Sequence, residues 1–197
     1  LAKLGVEVRL GQAVTEVSAQ GVRCGAELIA THSVVWGAGV AASAAARWLG
    51  AEKDRAGRVK VGPDLTLPGH PEVFVIGDTA AMTAPDGKPV PGIAPAAKQA
   101  GQHVAQAIRA RLAGRAPPAA FRYKHPGTLA TIGRSHAVAD FGWLRVSGFL
   151  AWVLWSIAHI YFLIDFRNRI GVSLDWLWSY FTYQRGARLI TGEDTLD

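Results

Sequence analysis

The residues best suited to chemistry are an acidic residue at the end of an apolar run and a Pro-Gly-rich loop after it. Residues 73–78 read Val-Phe-Val-Ile-Gly-Asp, and residues 91–99 read Pro-Gly-Ile-Ala-Pro-Ala-Ala-Lys-Gln. A buried strand there would place Asp78 at the carboxyl edge of a sheet, where open α/β sheets bind ligands. The carboxylate accepts hydrogen bonds from ribose or ribityl hydroxyls, and Gly77 allows a close approach to the main chain. The pattern predicts a nucleotide-cofactor site, with an ordinary strand-end turn as the alternative.

The loop leads into a predicted helix over residues 94–112. Pro95 suits the first turn, and Gly114 suits the position after the last one. The amino end of such a helix carries unsatisfied amides and the positive end of a dipole, and Lys98 adds charge in its first turns. We expect this end to favour negative charge on a bound ligand.

Around this site the sequence predicts mainly short strands, followed by an apolar tail. Gly37 and Gly39 give a weak match to a dinucleotide-binding loop, which we interpret as a crossover between domains. An Ala-rich helix is predicted at 41–49, and the segment beyond Arg145 is predicted to be apolar helix. The predicted strands cover 6–9, 14–18, 22–24, 27–30, 33–36, 58–61, 73–76, 128–132 and 135–141.

Charge and composition narrow the function classes. The formal charge is +6, but no helix-turn-helix, zinc-finger or RNA-binding pattern accompanies it, so a nucleic-acid partner is not expected. The single cysteine, Cys24, excludes an internal disulfide, and the histidines lack metal-ligand spacing, so no metal site is expected. Basic residues instead flank the Trp-rich tail, which favours a membrane: Arg145, Arg167, Arg169, Arg185 and Arg188.

The apolar tail has two interpretations. Residues 146–164 hold no charged residue, and one helix of that length could just cross a hydrocarbon core of roughly 30 Å. Residues 174–183 instead carry aromatic side chains typical of an interfacial helix that lies in one leaflet. Within the first stretch, His159 is interpreted as a structural histidine, with a proton carrier as the alternative.

Taken together, these segments resemble the type II NADH dehydrogenases, single-subunit flavoproteins of the two-dinucleotide-binding-domain superfamily. The resemblance implies an α/β fold followed by a small β-hairpin region and amphipathic or apolar membrane helices. It implies that 1–40 end the NADH-binding domain, 41–116 belong to the FAD-binding domain and 117–197 anchor the protein. The matching segments are 34–40, 57–59, 73–78, 94–99, 121–123, 129–134, 137–140 and 183–188.

The resemblance also implies roles for individual residues. Gly77 and Asp78 would bind the FAD ribityl chain, and Ala97, Lys98 and Gln99 would lie at the flavin edge beside the quinone. The family motif there is Ala-Gln-x-Ala-x-Gln, and this chain has Pro95 at the first Gln position, so no quinone contact is carried over to it. No catalytic residue is assigned within this chain. The anchoring residues would be Trp152, Trp155, Trp176, Trp178, Arg167 and Arg169.

The implied activity is an FAD-dependent NADH:quinone oxidoreductase of the respiratory chain without proton pumping. NADH would be the cosubstrate, and a membrane quinone and the lipid bilayer the partners, at the cytoplasmic face of the inner or plasma membrane; a homodimer stays open. The chain starts at Leu1 and is treated as a carboxyl-terminal half, inactive alone. The alternatives are another flavoprotein of the superfamily, such as a sulfide:quinone reductase, and a non-catalytic membrane-docking module.

Overall fold

The computed structural model describes residues 1–2, 5–37 and 39–183. Their contacts divide the chain into two compact units, Leu1–His125 and Pro126–Asp197. The first unit contains the predicted cofactor site and the second contains the aromatic tail.

The first unit opens with a three-stranded antiparallel meander in the order β1-β2-β3. The strands are β1 (Val14–Ser18), β2 (Gly21–Cys24) and β3 (Glu27–Ala30). Val17 pairs with Val22 across the first turn. The meander predicted over residues 14–30 is therefore confirmed.

The flanking strands predicted at 6–9 and 33–36 are wrong, since both stretches are irregular. Val35 is 96% exposed and Val40 is 88% exposed. A β-branched run gains its strand preference from packing against neighbours. In the described part of the chain this run has no such neighbours, so its composition does not produce a strand.

The middle of the first unit is built from very short elements. β4 and β7 form a parallel pair, and β5 and β6 form an antiparallel pair. The elements are α1 (Ala45–Trp48), β4 (Val59–Lys60), β5 (Thr66–Leu67), β6 (His70–Phe74) and β7 (Ala80–Ala81).

Two sequence predictions for this region need correction. The predicted helix over 41–49 contracts to the four residues of α1. The predicted strand over 73–76 begins at His70 and ends at Phe74, where it pairs antiparallel with β5 rather than ending a parallel sheet. Val75 continues the pairing through its N–H, which donates to Leu65 O at 3.1 Å. Within the apolar run, Val73 and Phe74 belong to the hairpin strand, and Val75 and Ile76 lead into the next turn.

The long helix α2 (Ala94–Leu112) has the bounds that the sequence predicts. Its buried residues Ala96, Ala100, Val104 and Ala107 recur three or four positions apart, so they lie on one face of the helix. They join the main core of the first unit together with residues such as Val59. The helix is therefore held by a narrow stripe of mostly small side chains.

The second unit packs two helices with a three-stranded sheet in the order β10-β9-β8. The strands are β8 (Thr128–Ile132), β9 (His136–Asp140) and β10 (Arg145–Gly148). The predicted hairpin is confirmed. The helices are α3 (Phe149–Tyr161) and α4 (Phe166–Thr182).

The single helix predicted over 146–164 is wrong. Its first residues belong to β10, and Gly148, at φ 78°, turns the chain into α3. Asp165 then caps α4 by accepting a hydrogen bond from Arg167 N. The 13 residues of α3 extend about 20 Å, less than the roughly 30 Å of a hydrocarbon core. Within the described residues, no helix has the length and apolar character to cross a bilayer.

Candidate functional site

The predicted cofactor site is built where a tight turn meets α2. Gly77–Thr79 form one turn of 3-10 helix immediately after the apolar run. Gly77 has φ +67°, and a Cβ placed on it would lie 3.7 Å from Ala97 Cβ. The structure therefore brings together Gly77 and Ala97, two of the residues assigned to the cofactor site. The positive φ disfavours any residue with a side chain at this position.

Asp78 lies exposed on this turn. Its carboxylate faces Gly92, where an added Cβ would lie 3.4 Å from Asp78 Oδ1. Within the described residues it accepts no hydrogen bond and forms no ion pair, so both oxygens are open to ligand hydroxyls. Next to it, Thr79 Oγ1 lies 3.4 Å from Ser43 Oγ.

The amino end of α2 has fewer unsatisfied amides than the sequence analysis expects. Ile93 provides no side-chain cap, and Pro95 has no N–H to offer. The amides of Ala96 and Ala97 both donate to Ile93 O, at 3.0 and 3.2 Å. Ala94 therefore contributes the remaining first-turn N–H, and the positive end of the helix dipole is the main electrostatic feature.

Gln99 makes a contact that the sequence analysis missed. Its Nε2 donates to Lys124 O at 2.8 Å, and Lys124 N donates to its Oε1 at 3.0 Å. Lys98, the preceding residue, is exposed. The side-chain amide of Gln99 thus pairs with the main chain at Lys124 as a neighbouring strand would. No pattern in the sequence predicts such a pairing.

A hydrogen-bonded ring pair follows in the same segment. Tyr123 Oη lies 2.9 Å from His125 Nδ1, with their ring centroids 5.9 Å apart. Burial raises the pKa of Tyr123. The phenol therefore stays protonated at neutral pH and can donate to the imidazole.

Most of the tryptophans predicted to anchor the protein stack against neighbouring aromatic rings. Trp155 and Trp176 lie face to face at 5.4 Å with 11° between their planes, and Trp152 lies 5.3 Å from Tyr180. Trp178 is the exception in this respect, with 62% of its surface exposed. The rings thus hold α3 and α4 together, a role that the sequence analysis did not assign to them.

Two of the predicted anchoring arginines differ in their contacts. Arg169 Nε donates to Leu163 O at 3.0 Å and so closes the turn between α3 and α4. Arg167 is exposed at the start of α4. Arg185 and Arg188, together with the rest of the 183–188 motif beyond Tyr183, lie outside the described residues.

The structural interpretation of His159 agrees with its contacts. Its ring stacks on Trp155 with centroids 3.9 Å apart, and its Nδ1 lies 2.8 Å from Trp155 O. The hydrogen bond and the stacking both join it to its own helix.

A further cluster, missed from sequence, involves Arg134 in the turn between β8 and β9. Its guanidinium lies 3.6 Å from the centre of the Tyr183 ring and 4.8 Å from that of Tyr180. Ser135 Oγ adds a contact of 3.4 Å to Tyr180 Oη. The signal in the sequence was the Gly-Arg pair that ends the 129–134 segment, but nothing there indicated its aromatic partners.

Two family models match this chain. The family model described as pyridine nucleotide-disulphide oxidoreductase matches residues 1–101, just over half of the 197 residues. The chain belongs to this oxidoreductase family. A second model, the NDH2 C-terminal domain, matches residues 125–183. The two matches confirm the relationship to type II NADH dehydrogenases that the sequence indicates.

Members of the oxidoreductase family with curated names align with nearly the whole chain. Two proteins of Mycobacterium tuberculosis, the type II NADH:quinone oxidoreductases Ndh and NdhA, are 41% and 39% identical to it over 98% of its length. The internal alternative NAD(P)H-ubiquinone oxidoreductase A1 of Arabidopsis thaliana is 32% identical over 75% of the chain. The chain spans 43% of each mycobacterial relative and 32% of the plant one.

A solved structure shares the fold. NDH2 from Plasmodium falciparum, determined in complex with NADH, matches 90% of this chain with a TM-score of 0.70, and the match covers 52% of that protein. The sequence identity is 14%, so this likeness speaks for the fold alone. It confirms the predicted α/β class.

Proposed function

We propose that this chain is the carboxyl-terminal part of an FAD-dependent NADH:quinone oxidoreductase of the respiratory chain. The observation that carries the proposal is the Gly77–Thr79 turn packed on Ala97, in a chain that aligns over 98% of its length with relatives bearing that activity in their names. In this proposal residues 1–40 complete the NADH-binding domain, 41–116 belong to the FAD-binding domain and 117–197 attach the protein to a membrane.

The residues at the turn fit a flavin nucleotide. Gly77 and Ala97 present little bulk, which leaves room for a ligand near the main chain. The open carboxylate of Asp78 would accept hydrogen bonds from ribityl hydroxyls. Bound FAD would supply the carrier that takes a hydride from NADH and passes two electrons onward. The chain's own contribution is to hold and orient that carrier.

The first turns of α2 would tune the ligand and receive the quinone. The positive end of the helix and Lys98 favour negative charge on the part of the ligand nearest to them. Gln99 keeps one amide hydrogen beyond the one given to Lys124, and this hydrogen could be donated to a quinone carbonyl. We assign the quinone side of the site to Lys98 and Gln99.

The second unit would supply a monotopic membrane attachment at the cytoplasmic face. The exposed apolar residues of its helices support lipid contact, in particular Leu150, Ile157, Leu177, Trp178 and Phe181. Arg167 is exposed at the start of α4, where its charge would suit an anionic lipid surface. In this arrangement Trp152, Trp155, Trp176 and Arg169 support the attachment from within by fixing the two helices.

The cofactor assignment is tested by flavin absorbance in the full-length protein. Asp78→Ala should lose most of its bound flavin, because a charge-assisted hydrogen bond to each hydroxyl contributes roughly 1.5–3 kcal/mol. Asp86→Ala is the matched control, since Asp86 is an exposed turn carboxylate paired with Lys88 at 3.2 Å. Equal flavin content in the two variants would remove Asp78 from the site.

The activity is tested by following the same protein with different electron donors. NADH should bleach the flavin, and added quinone should restore its absorbance. Bleaching by sulfide and not by NADH would indicate a sulfide:quinone reductase instead. A colourless wild-type protein that still binds vesicles would leave only the membrane-docking module.

A further inference from the structure

The side chain of Gln99 forms two hydrogen bonds with a single residue in a distant part of the sequence. Its amide N–H donates to Lys124 O at 2.8 Å, and its amide oxygen accepts from Lys124 N at 3.0 Å. The partner segment has no regular secondary structure. An irregular segment has few ways to satisfy its main-chain polar groups, so a side-chain amide that satisfies two of them is a strong local constraint.

The same segment also contacts the rest of the first unit through Phe121 and Tyr123, which pack at its core. Phe121 is 7% exposed, and its N–H donates to Pro63 O at 2.8 Å. Its ring lies 5.6 Å from that of His103, which is one helical turn after Gln99 on α2. Residues 121–125 are thus held along one side of α2 by a ring contact at His103 and by the paired amide at Gln99.

The position of residues 121–125 in the chain determines what the Gln99–Lys124 pairing affects. His125 is the last residue of the first unit, so the Gln99–Lys124 pairing lies immediately before the chain leaves it. The proposed flavin contact at Ala97 lies two residues before Gln99 on α2, so the pairing links that part of the helix to the end of the first unit. A loss of the pairing would free the segment on the carboxyl side of Phe121.

We propose that Gln99 is a positioning residue, whose side-chain amide fixes the segment 121–125 along α2 and thereby orients its own second amide hydrogen. Its link to quinone rests on the proposed function. The positioning role itself does not depend on which ligand the protein binds.

The test compares three variants of the full-length protein by hydrogen exchange at the Lys124 amide. Gln99→Leu removes both hydrogen bonds and should speed exchange about tenfold, since each bond contributes roughly 0.5–1.5 kcal/mol. Gln102→Leu changes an exposed glutamine of the same helix and should leave the exchange rate unchanged. Gln99→Glu keeps the size of the side chain but carries a carboxylate toward Lys124 O at neutral pH.

Protonation gives Gln99→Glu a signature that a space-filling role would not produce. A neutral carboxyl group can donate to Lys124 O and accept from Lys124 N, as the amide does. After correction for intrinsic exchange, protection of Lys124 should return as the pH falls through the ordinary glutamate pKa of about 4.3. Gln99→Leu should show no such recovery.

The outcomes separate this inference from the proposed function. Wild-type protection of Lys124 in Gln99→Leu, or in Gln99→Glu at every pH, would overturn the positioning role even if quinone reduction falls. A colourless wild-type protein would overturn the flavoprotein assignment and leave the exchange result intact. Fast exchange in Gln99→Leu, together with recovery in Gln99→Glu, supports the positioning role whatever the electron donor.

Discussion

Helix α2 of the first unit and the helix pair of the second unit make their packing contacts through different kinds of side chain. The inner face of α2 is lined by Ala96, Ala100 and Ala107. Helices α3 and α4 meet through large rings, such as Trp155 stacked on Trp176 at 5.4 Å. The outer faces are reversed as well. The outer face of α2 carries Lys and Gln residues, whereas α3 and α4 expose Leu, Ile and aromatic side chains.

This contrast agrees with the two contacts proposed above, one with a cofactor and one with a lipid surface. Small side chains allow main chains to approach closely, and the Gly77–Ala97 contact that frames the proposed cofactor site depends on such an approach. Large rings hold two helices together through a few stacked contacts. Other apolar side chains of α3 and α4 then remain exposed. The two regions thus differ both in the side chains that make packing contacts and in those left on the exposed face.

The largest expected effect comes from removing a stacked ring. Trp155→Ala should lower the free energy of unfolding by about 3 kcal/mol, since truncation of a packed Trp leaves a cavity. Trp178→Ala removes a ring that is 62% exposed and should lower it by less than about 1 kcal/mol. Urea denaturation of the full-length variants measures both. Equal losses of unfolding free energy would contradict the distinction between the stacked Trp155 and the exposed Trp178.

The same two positions should rank in the opposite order when membrane binding is measured. Sedimentation with vesicles that contain anionic lipid should show weaker binding for Trp178→Ala, because its ring lies on the exposed apolar face. Trp155→Phe, which keeps an aromatic ring in the stack, should bind as the wild type does. If Trp155→Phe were the weaker binder, the stacked rings would be the lipid contact.

The second effect tests the small-residue face of α2. Ala100 is fully buried at 0% exposure, so Ala100→Leu should destabilise the protein by roughly 1–3 kcal/mol through overpacking. Ala105→Leu adds the same atoms to the exposed face of the helix and should change stability by less than about 0.5 kcal/mol. Thermal unfolding compares the two. A tolerated leucine at position 100 would mean that the close packing is dispensable.

A third effect concerns the contact that joins α4 to the β8–β9 turn. Arg134→Met keeps most of the side-chain volume and removes the charge over Tyr180 and Tyr183, so it should cost about 1 kcal/mol. Arg134→Lys should recover part of that loss. The measurement is the urea midpoint of each variant. Full stability in Arg134→Met would show that the guanidinium contributes nothing through its charge.

The sequence predicted best what depends on local pattern. The bounds of α2 follow from Pro95, the spacing of small residues and Gly114, all of which act within a few residues. The strand expected at 33–36 failed because an apolar run becomes a strand only where a neighbour pairs with it. The interpretation of 146–164 as one helix failed because Gly148 ends β10 and α3 already ends at Tyr161. Hydropathy does not detect either boundary.

The candidate site likewise combines features that local sequence predicts with contacts that it does not predict. The tight turn at Gly77 and the helix start near Ala97 are both visible in local sequence, and the structure places these two residues next to one another. The Gln99–Lys124 pairing joins residues 25 positions apart, and the contact between Arg134 and Tyr183 likewise joins distant positions. Such contacts depend on how elements pack. Residue type and spacing therefore indicated where the site lies but not which side chains hold it in place.

The smallest expected effect sharpens the account of α2, because it separates the need for a small residue from the need for glycine. Gly101 lies inside the helix, and a Cβ there would meet Ile76 Cδ1 at 3.8 Å, an ordinary contact distance. Gly101→Ala should therefore stabilise the protein by about 0.4–1 kcal/mol, since alanine restricts the unfolded chain without a clash in the folded one. Gly77→Ala should destabilise it, because Gly77 has φ +67°. If Gly101→Ala instead lowered the melting temperature, α2 would have to lie closer to the preceding turn than its alanines require, and the close approach would extend beyond Ala97 along the helix.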